Sequence, residues 1–369
     1  MKSSLSIVNL APIAIAMAVA ALLAAPAQAQ TNTKSAVVLY GIADGCLVSH
    51  KSERGAKTQV NGGGCFYGSR FGLRGTEDLG GGLQATFALE SGFAIDSGVS
   101  SQGGRLFGRR STVGLAGGFG SVELGRELPP PHFLISSIDP MQLGIGSASA
   151  TLWTGSPSTA SGRTDNSLIY VTPDFGGFVA RMQIAPGEQA APLASHGGDT
   201  KGLTITYRDK QLLAGVGHAT VRNPAANGTD RATTAGAKYD FGGFSLAALA
   251  QFGAWEGSRT AAAPASATAL YSRDYRSFVV GGTVKFGADS LSATYKKYDD
   301  RTVSNFDATV MSVVYIHPLS KRTQIYTGIS RLKNLRGSSY GVADGNGAYA
   351  GTGVGGKSRI IDLGMTHFF

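Results

Sequence analysis

Near one end of the chain, residues 351–358 read GTGVGGKS, which matches the phosphate-binding pattern G-x-x-x-x-G-K-[ST] at every required position. In a nucleotide-binding loop of this type a helix follows the Lys-Ser pair, so that its backbone N–H groups surround the phosphates. The letters after Ser358 are RIIDLGMTHFF, in which Ile361, Leu363 and Met365 alternate with polar or small residues. A period of two predicts a strand. We therefore expect no nucleotide site at this position.

Residues 1–29 have the layout of a secretory signal peptide. Lys2 precedes the apolar run LAPIAIAMAVAALLAA, and the small residues Ala27 and Ala29 suit cleavage before Gln30. The alternative is a transmembrane anchor, which needs roughly 20 apolar residues. Pro26 and the polar QTNTKS that follows argue against it. We predict an exported protein whose single mature domain covers residues 30–369.

The two cysteines and six histidines are the other residues with reactive or metal-binding chemistry. In an oxidising compartment Cys46 and Cys65 could form a disulfide, and two separate thiols are the alternative. The histidines have no paired spacing typical of a metal site, and no G-x-S-x-G nucleophile motif is present. We expect no enzyme, no metal and no cofactor.

The composition disfavours helices and leaves the partner open. Fifty-three glycines are present, and each glycine inside a helix costs about 1 kcal/mol relative to alanine. With 42% hydrophobic and 15% charged residues and a mean hydropathy of +0.02, no segment after residue 29 is apolar enough to span a membrane as a helix. The net charge of +9 could attract nucleic acid, anionic lipid or anionic solutes. The positions of the charges must decide which of these partners the protein attracts.

From residue 35 onward, segments of about ten residues with alternating apolar and polar positions are separated by turns. The short turns fall at 77–82, 117–120, 173–177, 208–211, 240–243, 286–290 and 317–322. The long connections fall at about 50–66, 97–105, 128–163, 186–200, 222–231, 256–272, 301–307 and 335–356. Seven short and eight long connections in strict alternation separate sixteen strands. This layout is typical of an all-β, sixteen-stranded antiparallel transmembrane β-barrel with short periplasmic turns and long extracellular loops.

Alternation within the strands predicts which side chains face the lumen. In LTITYRD, for example, Leu203 and Ile205 oppose Thr204 and Thr206. A soluble antiparallel sandwich would show the same alternation with its apolar face inside. The signal peptide, the asymmetry of the connections and the aromatic Phe369 favour the barrel. The basic residues that share the polar parity, and that we expect in the lumen, are Arg181, Arg208, Lys285 and Lys296.

Four segments of the chain resemble the Gram-negative general diffusion porin family. They are SRFGLRGTEDLGGGLQATFALESGF (69–93), LFGRRSTVGLAGGFGSVELGRE (106–127), RTDNSLIYVTPDFGGF (163–178) and YIHPLSKRTQIYTGISRLKN (315–334). The closing GMTHFF resembles the strand that the barrel-assembly machinery reads in this family. The resemblance implies a homotrimer in the outer membrane of a Gram-negative bacterium, in contact with outer-membrane lipid. Each barrel would be a water-filled channel for small hydrophilic solutes, narrowed by an inward-folded third loop at about 128–162.

The resemblance also implies a cluster of arginines on the barrel wall opposite that loop. The positions that match are Arg70, Arg109 and Arg163, and Arg74 shares the parity of Arg70. Arg109 and Arg110 lie on opposite parities, so the strand pattern allows only one of them to point inward. The placement in the family favours Arg109.

The loop is poor in acids. Asp139 is its one internal carboxylate, with Glu127 at its entrance and Asp165 just past its exit. Several arginines opposed by one or two acids would leave a positive constriction, and low-dielectric walls would focus that field on passing ions. We therefore predict a preference for anions and no binding of nucleic acid.

Other interpretations remain open at this point. The arginines could be ordinary solvated charges paired with Glu77, Asp78 or Glu123, since exposed ion pairs are common and weak. A channel specific for phosphate or small organic anions is a second possibility. An outer-membrane barrel enzyme is a third, although no motif of such an enzyme is present.

Overall fold

The structure is a computed structural model that describes residues 35–144, 162–187, 197–222, 228–254, 274–302, 305–344, 347–348 and 352–369. The predicted signal peptide, residues 1–29, lies outside this part, as do residues 145–161 of the predicted constriction loop. No helix in the described ranges is long and apolar enough to cross a membrane.

The regular secondary structure of the described part is almost entirely β-strand. These are β1 (Ala36–Ser52), β2 (Gly55–Asn61), β3 (Arg70–Gly80), β4 (Leu83–Gly92), β5 (Arg110–Gly117), β6 (Gly120–Glu127), β7 (Thr164–Val171), β8 (Phe178–Ala185), β9 (Thr200–Arg208), β10 (Leu212–Arg222), β11 (Thr229–Asp240), β12 (Phe244–Ala254), β13 (Asp274–Phe286), β14 (Asp289–Asp300), β15 (Ala308–Pro318), β16 (Thr323–Asn334), β17 (Ala343–Asp344), β18 (Gly347–Ala348) and β19 (Lys357–Phe368). A short helical turn, α1 (Ser101–Gly104), precedes β5, and one helix, α2 (Pro130–Ile138), follows β6.

Seventeen strands form one closed antiparallel sheet. From β3 to β16 each strand pairs with the next one along the chain, β16 pairs with β19, and β19 pairs with β1 to complete the ring. Strands β2 and β3 pair with different parts of β1 and so occupy one position in the barrel wall. The wall therefore has sixteen positions, which confirms the predicted sixteen-stranded barrel. Residues 55–61 of the predicted loop 50–66 form strand β2. They pair with residues 46–52 of β1, which extend beyond the part of β1 that pairs with β3.

The two rims of the barrel differ. At one rim, which we call the short-turn rim, the connections are 81–82, 118–119, 172–177, 209–211, 241–243, 287–288 and 319–322. In the two-residue turn between β3 and β4, Gly80, Gly81 and Gly82 all have positive φ values of 62–84°, a conformation that favours glycine. The opposite rim, the long-loop rim, carries the remaining connections between wall strands.

Alternate side chains point outward and into the barrel, as the sequence pattern predicted. On β9, Leu203 and Ile205 are exposed on the outer face, whereas Thr204 is buried on the inner face. On β19, Leu363 is 59% exposed and its neighbour Asp362 only 3%. The outer face is therefore apolar in the middle of the barrel, which suits contact with lipid.

Part of the interior is filled with apolar side chains. Helix α2 contacts the strands β8 to β12. The inward-facing glycines of β10 allow a close approach, since a Cβ at Gly215 would lie 2.8 Å from Leu134 Cδ1 and one at Gly217 would lie 3.2 Å from Pro131 Cβ. Leu134 belongs to a buried cluster that also includes Val310 and Ile360 of the wall. The described start of the third long connection thus lies inside the barrel, against one side of it.

Candidate functional site

Strand β3 places two arginines on the inner face of the wall. Arg70 pairs with Gly92 and Arg74 with Ala88 across the ladder to β4. The Arg70 guanidinium Nε donates a hydrogen bond of 2.8 Å to the carbonyl oxygen of Gly68. The Arg74 guanidinium lies 5.3 Å from the ring centroid of Tyr40 on β1, a cation–π distance. Both predicted residues therefore face the interior, as their shared parity required.

The structure brings Arg109 and Arg163 to Arg70. Arg163 Nε donates a hydrogen bond of 2.7 Å to the backbone oxygen of Arg109. Arg109 interacts electrostatically with both Arg70 and Arg163. Its own Nε lies 2.6 Å from Glu90 Oε1 on β4, and Tyr40 donates its hydroxyl to the other oxygen of Glu90 at 3.0 Å. We call Arg70, Arg109 and Arg163 the arginine cluster.

Positive charge exceeds negative charge in this cluster. Neither Arg70 nor Arg163 forms an ion pair in the part of the chain that the structure describes. Burial, together with the nearby charge of Arg109, lowers the pKa of the Arg163 guanidinium, which lies before the start of β7. An arginine nevertheless keeps its proton in proteins. Residues 145–161 contain no Asp or Glu, so that segment supplies no carboxylate to balance the cluster.

Arg110 also faces the interior, which corrects the expectation that only one of Arg109 and Arg110 could do so. Arg110 lies 2.6 Å from Glu123 and 2.9 Å from Glu127. Strand β5 begins at Arg110, so Arg109 lies before the regular ladder. The inward and outward alternation of side chains within β5 therefore does not set the direction of the Arg109 side chain. The alternative of ordinary ion pairing therefore describes Arg110, through Glu123, but not Arg70 or Arg163.

Glu127 and Arg181 lie beside the start of α2. Glu127 is buried, and its Oε1 accepts the backbone N–H of Leu128 at 2.8 Å. The Arg181 guanidinium on β8 lies 4.2 Å from the ring centroid of Phe133 and interacts electrostatically with Glu127. These contacts attach the third long connection to the wall where it enters the barrel.

Asp139 has different neighbours from those expected of an acid facing the arginines. It lies just past the end of α2, where its oxygens accept the N–H groups of Met141 at 3.2 Å and Leu143 at 2.8 Å. Its charged neighbours are Lys238 and the fully buried Lys296. The Asp139 side chain thus stabilises the turn that follows the helix and balances lysines of β11 and β14.

The other predicted charges are spread over the two rims. Lys285 lies 3.6 Å from Asp240 at the short-turn rim, where the exposed Arg208 ends β9. Asp165 pairs with Arg105 at 2.7 Å and with Arg126 at 2.5 Å. The structure therefore separates Asp165 from the ion pairs of the arginine cluster.

Two further predicted positions are structural. Cys46 and Cys65 are joined by a disulfide that connects β1 to the segment between β2 and β3. Lys357 of the GTGVGGKS segment begins the strand β19 and not a helix, so no helix N-terminus is available there for phosphate. Gly351 lies outside the described residues. Among the residues described, no group of three or more His, Cys, Asp or Glu side chains could hold a metal ion.

Sequence reasoning missed Glu90, the carboxylate within the arginine cluster, and Lys238. The signal for Glu90 was present in the alternation of LQATFALESG, where it shares a parity with the inward-facing Ala88. Lys238 Nζ donates a hydrogen bond of 2.5 Å to the backbone oxygen of Ser137. No pattern in the sequence indicates the contact between Lys238 and Ser137, because these residues are 101 positions apart.

Comparison with known proteins agrees with this architecture. A family model described as Gram-negative porin matches residues 14–337. The chain is 34% identical over 362 residues to outer membrane porin protein 32 of Delftia acidovorans, covering 91% of this chain and 95% of that protein. It is 31% identical to an outer membrane porin protein of Bordetella pertussis, covering 73% and 77% of the two chains. The solved anion-selective porin from Comamonas acidovorans superposes with a TM-score of 0.77 at 30% identity, covering 91% of this chain and all of that one.

Proposed function

This chain belongs to the Gram-negative porin family and is an outer-membrane porin that forms a passive channel, and from that premise we propose that its pore prefers anions to cations. The observation that carries the proposal is the arginine cluster, in which three guanidinium groups have one carboxylate ion-pair partner among the described residues, Glu90, which bonds to Arg109. The anion-selective porin from Comamonas acidovorans, to which the chain is similar, supports the same preference.

The physical reason is electrostatic. A passing ion must cross the interior where α2 and the buried cluster already occupy one side. Charges on the remaining wall act through a low-dielectric surrounding and a narrow water path, which raises their effect on a permeating ion. An excess of guanidinium groups lowers the free energy of an anion in that path and raises that of a cation.

We propose further that the short-turn rim faces the periplasm, that residues 1–29 are removed on export, and that three copies assemble into a trimer. The resemblance to general diffusion porins supports these three points. The relatives are porins, which are channels and not enzymes, and we propose no catalytic role and no nucleic-acid partner for this chain. During biogenesis the terminal strand with Phe369 would engage the barrel-assembly machinery.

The test is the reversal potential of single channels in a planar bilayer across a salt gradient. The wild-type protein should give the sign expected for an anion-preferring pore. The variant Arg70→Ser/Arg109→Ser/Arg163→Ser should shift the potential towards cation preference, with single substitutions acting less. A matched control removes three exposed cations from the outer face instead, through Lys51→Gln/Arg331→Gln/Arg359→Gln, and should leave the potential unchanged. A wild-type potential of cation sign would refute the proposal.

A further inference from the structure

The strands β2 and β3 do not follow each other directly along the barrel wall. Asn61, the last residue of β2, lies opposite Cys46 of β1. Arg70, the first residue of β3, lies opposite Ile42. Three residues of β1 therefore lie between these two pairings, and residues 62–69 connect β2 to β3 across that interval. We call residues 62–69 the inward segment.

The inward segment leaves the wall and enters the barrel. Its two ends stay in the sheet, because the backbone oxygens of Gly62 and Ser69 accept the N–H groups of Ile95 at 2.8 Å and Phe93 at 3.1 Å. Those two donors are two residues apart, so at most about 7 Å of extended chain separates them. The residues between the two ends of the segment are too many for this distance and form an excursion. The excursion points inward, since Phe66 belongs to the buried cluster in the interior.

A disulfide and several hydrogen bonds attach the segment to the inner face of β1. The disulfide joins Cys65 to Cys46. The Asp44 carboxylate accepts the N–H groups of Cys65 at 2.8 Å and Tyr67 at 3.1 Å. The Ser69 hydroxyl donates a hydrogen bond of 2.9 Å to the backbone oxygen of Asp44. Both cysteines and Asp44 are buried, so the attachment is shielded from solvent.

The opposite side of the segment contacts a turn of the third long connection just past α2. The Tyr67 hydroxyl donates a hydrogen bond of 3.3 Å to Gln142 Oε1. A Cβ at Gly144 would lie 3.0 Å from the backbone oxygen of Phe66 and 3.1 Å from its Cδ2, so the two segments approach closely. Gln142 and Leu143 have positive φ values of 50° and 63°, a conformation that residues with side chains keep where their surroundings impose it. The turn is therefore shaped around the inward segment.

Helix α2 itself is attached to the wall at a different place. Lys238 Nζ on β11 donates a hydrogen bond of 2.5 Å to the backbone oxygen of Ser137, and the Arg181 guanidinium on β8 lies 4.2 Å from the ring centroid of Phe133. The described start of the third long connection thus has two supports, the strands β8 to β12 under the helix and the inward segment beside the turn.

The inward segment also leads directly into the arginine cluster. The backbone oxygen of Gly68 accepts the hydrogen bond of 2.8 Å from Arg70 Nε, and Tyr67 interacts electrostatically with Arg70. The residues that contact the turn of the third connection therefore also orient one of the three guanidinium groups.

We propose that the inward segment is a positioning element of the channel, in which the Cys46–Cys65 disulfide holds both the third long connection and Arg70 in place. Irregular segments held by hydrogen bonds alone open locally at a low cost in free energy. A covalent bond to β1 limits how far this segment can move when those hydrogen bonds break. The inference rests on the passive channel and, for Arg70 alone, on the proposed anion preference.

The experiment is single-channel recording of Cys46→Ser/Cys65→Ser in a planar bilayer with equal salt on both sides. The substitutions change no charge, so an effect on the current would arise from geometry. Because the third connection loses a fixed support, the open-channel current should fluctuate more than that of the wild type and spread over several conductance levels. A purely structural disulfide would change the yield of folded channels and leave the current of each channel steady.

The wild-type chain folded with an excess of a small dithiol reductant tests the same point without any substitution. Alkylation after unfolding confirms that both thiols are free. These channels should fluctuate as the double variant does, whereas wild-type channels folded under oxidising conditions should be steady. Steady currents in the disulfide-free channels would overturn the proposal.

Two further variants separate the inward segment from the rest of the wall. Tyr67→Phe keeps the disulfide and the ring, removes the hydrogen bond to Gln142, and should raise the fluctuation less than loss of the disulfide does. The matched control is Ser312→Ala/Ser330→Ala, which removes a buried hydrogen bond of 3.0 Å between inward side chains of β15 and β16 and should give a steady current. Equal fluctuation in this control and in Cys46→Ser/Cys65→Ser would overturn the proposal.

The reversal potential keeps this inference distinguishable from ion selectivity. A wild-type potential of cation sign would refute the anion preference, and the current fluctuation would still decide whether the disulfide positions the third connection.

Discussion

At the scale of single residues, the channel wall holds three guanidinium groups close together with a small number of hydrogen bonds. Two of these bonds use backbone oxygens as acceptors, those of Gly68 for Arg70 and of Arg109 for Arg163. A carbonyl oxygen orients a guanidinium without neutralising its charge. The wall therefore fixes these side chains in place and leaves their charge available to ions in the pore.

Glu90 should moderate this charge, and removing its carboxylate should strengthen anion preference. Glu90 bonds to Arg109 at 2.6 Å and interacts electrostatically with Arg70. Glu90→Gln keeps the size of the side chain and its ability to accept a hydrogen bond from Tyr40, but it leaves Arg109 without its partner. We expect the reversal potential to move further towards the anion value. Glu77→Gln, which removes an exposed carboxylate of β3, is the control, and a cation shift in Glu90→Gln would contradict the interpretation.

At the scale of the strands, much of the architecture could be predicted because a side-chain period of two is visible in the letters. The number of wall positions and the outward set on β19 followed from that alternation. The period does not show where a ladder begins, so the inward direction of both Arg109 and Arg110 was missed. It also does not show how crowded the interior is. Asp362 points inward, as the alternation along β19 requires, but it is buried beside Asp44 and against Gly328 instead of facing open water.

The joint between β2 and β3 depends on one buried carboxylate. Asp44 accepts the N–H groups of Cys65 and Tyr67 at 2.8 and 3.1 Å, and the hydroxyls of Tyr326 and Thr366 at 2.8 and 2.6 Å. Asp44→Ala would leave these donors without an acceptor, and each buried orphan costs about 1–3 kcal/mol. We expect a loss of at least about 3 kcal/mol in the free energy of unfolding in a urea titration.

The exposed turn residue Asp174, which accepts the N–H of Gly177 at 2.6 Å, gives the control for that experiment. Asp174→Ala removes a carboxylate of the same size from the short-turn rim and should cost less than about 1 kcal/mol, since surface changes are usually small. Similar losses in the two variants would show that Asp44 is not the anchor of the joint.

The outward face of β19 should reject charge according to depth in the bilayer. Leu363 lies in the middle of the strand and is exposed on the outer face, so Leu363→Arg should cost about 2–4 kcal/mol. His367→Arg changes an outward residue near the short-turn rim, where the expected cost is about 0–1 kcal/mol. The yield of folded, heat-modifiable protein in outer-membrane fractions measures the difference. Equal yields would mean that the apolar band is misplaced along this strand.

At the scale of the whole molecule, the proposed selectivity arises from a field and should weaken in salt. The Debye length is about 10 Å at 0.1 M and about 3 Å at 1 M ionic strength. The ratio of anion to cation permeability should therefore fall as the mean salt concentration rises between these values at a constant gradient. The Arg70→Ser/Arg109→Ser/Arg163→Ser variant should show little such dependence. A wild-type ratio that does not change with salt would indicate selection by size or by direct binding.

The pairing of β1 with β19 sets the order in which the chain can fold. Thr366 bonds to Asp44 across 322 residues of sequence, whereas β3 and β4 meet through a two-residue turn at 81–82. Closing a long loop costs more chain entropy than closing a hairpin, and distant pairings slow folding. We expect the hairpins to form early and the seam between the first and last strands to form last, as the slow kinetic step. The measurement compares the rates at which two engineered cross-links form during folding into lipid vesicles, one between β1 and β19 and one between β3 and β4. A faster cross-link between β1 and β19 would contradict this order.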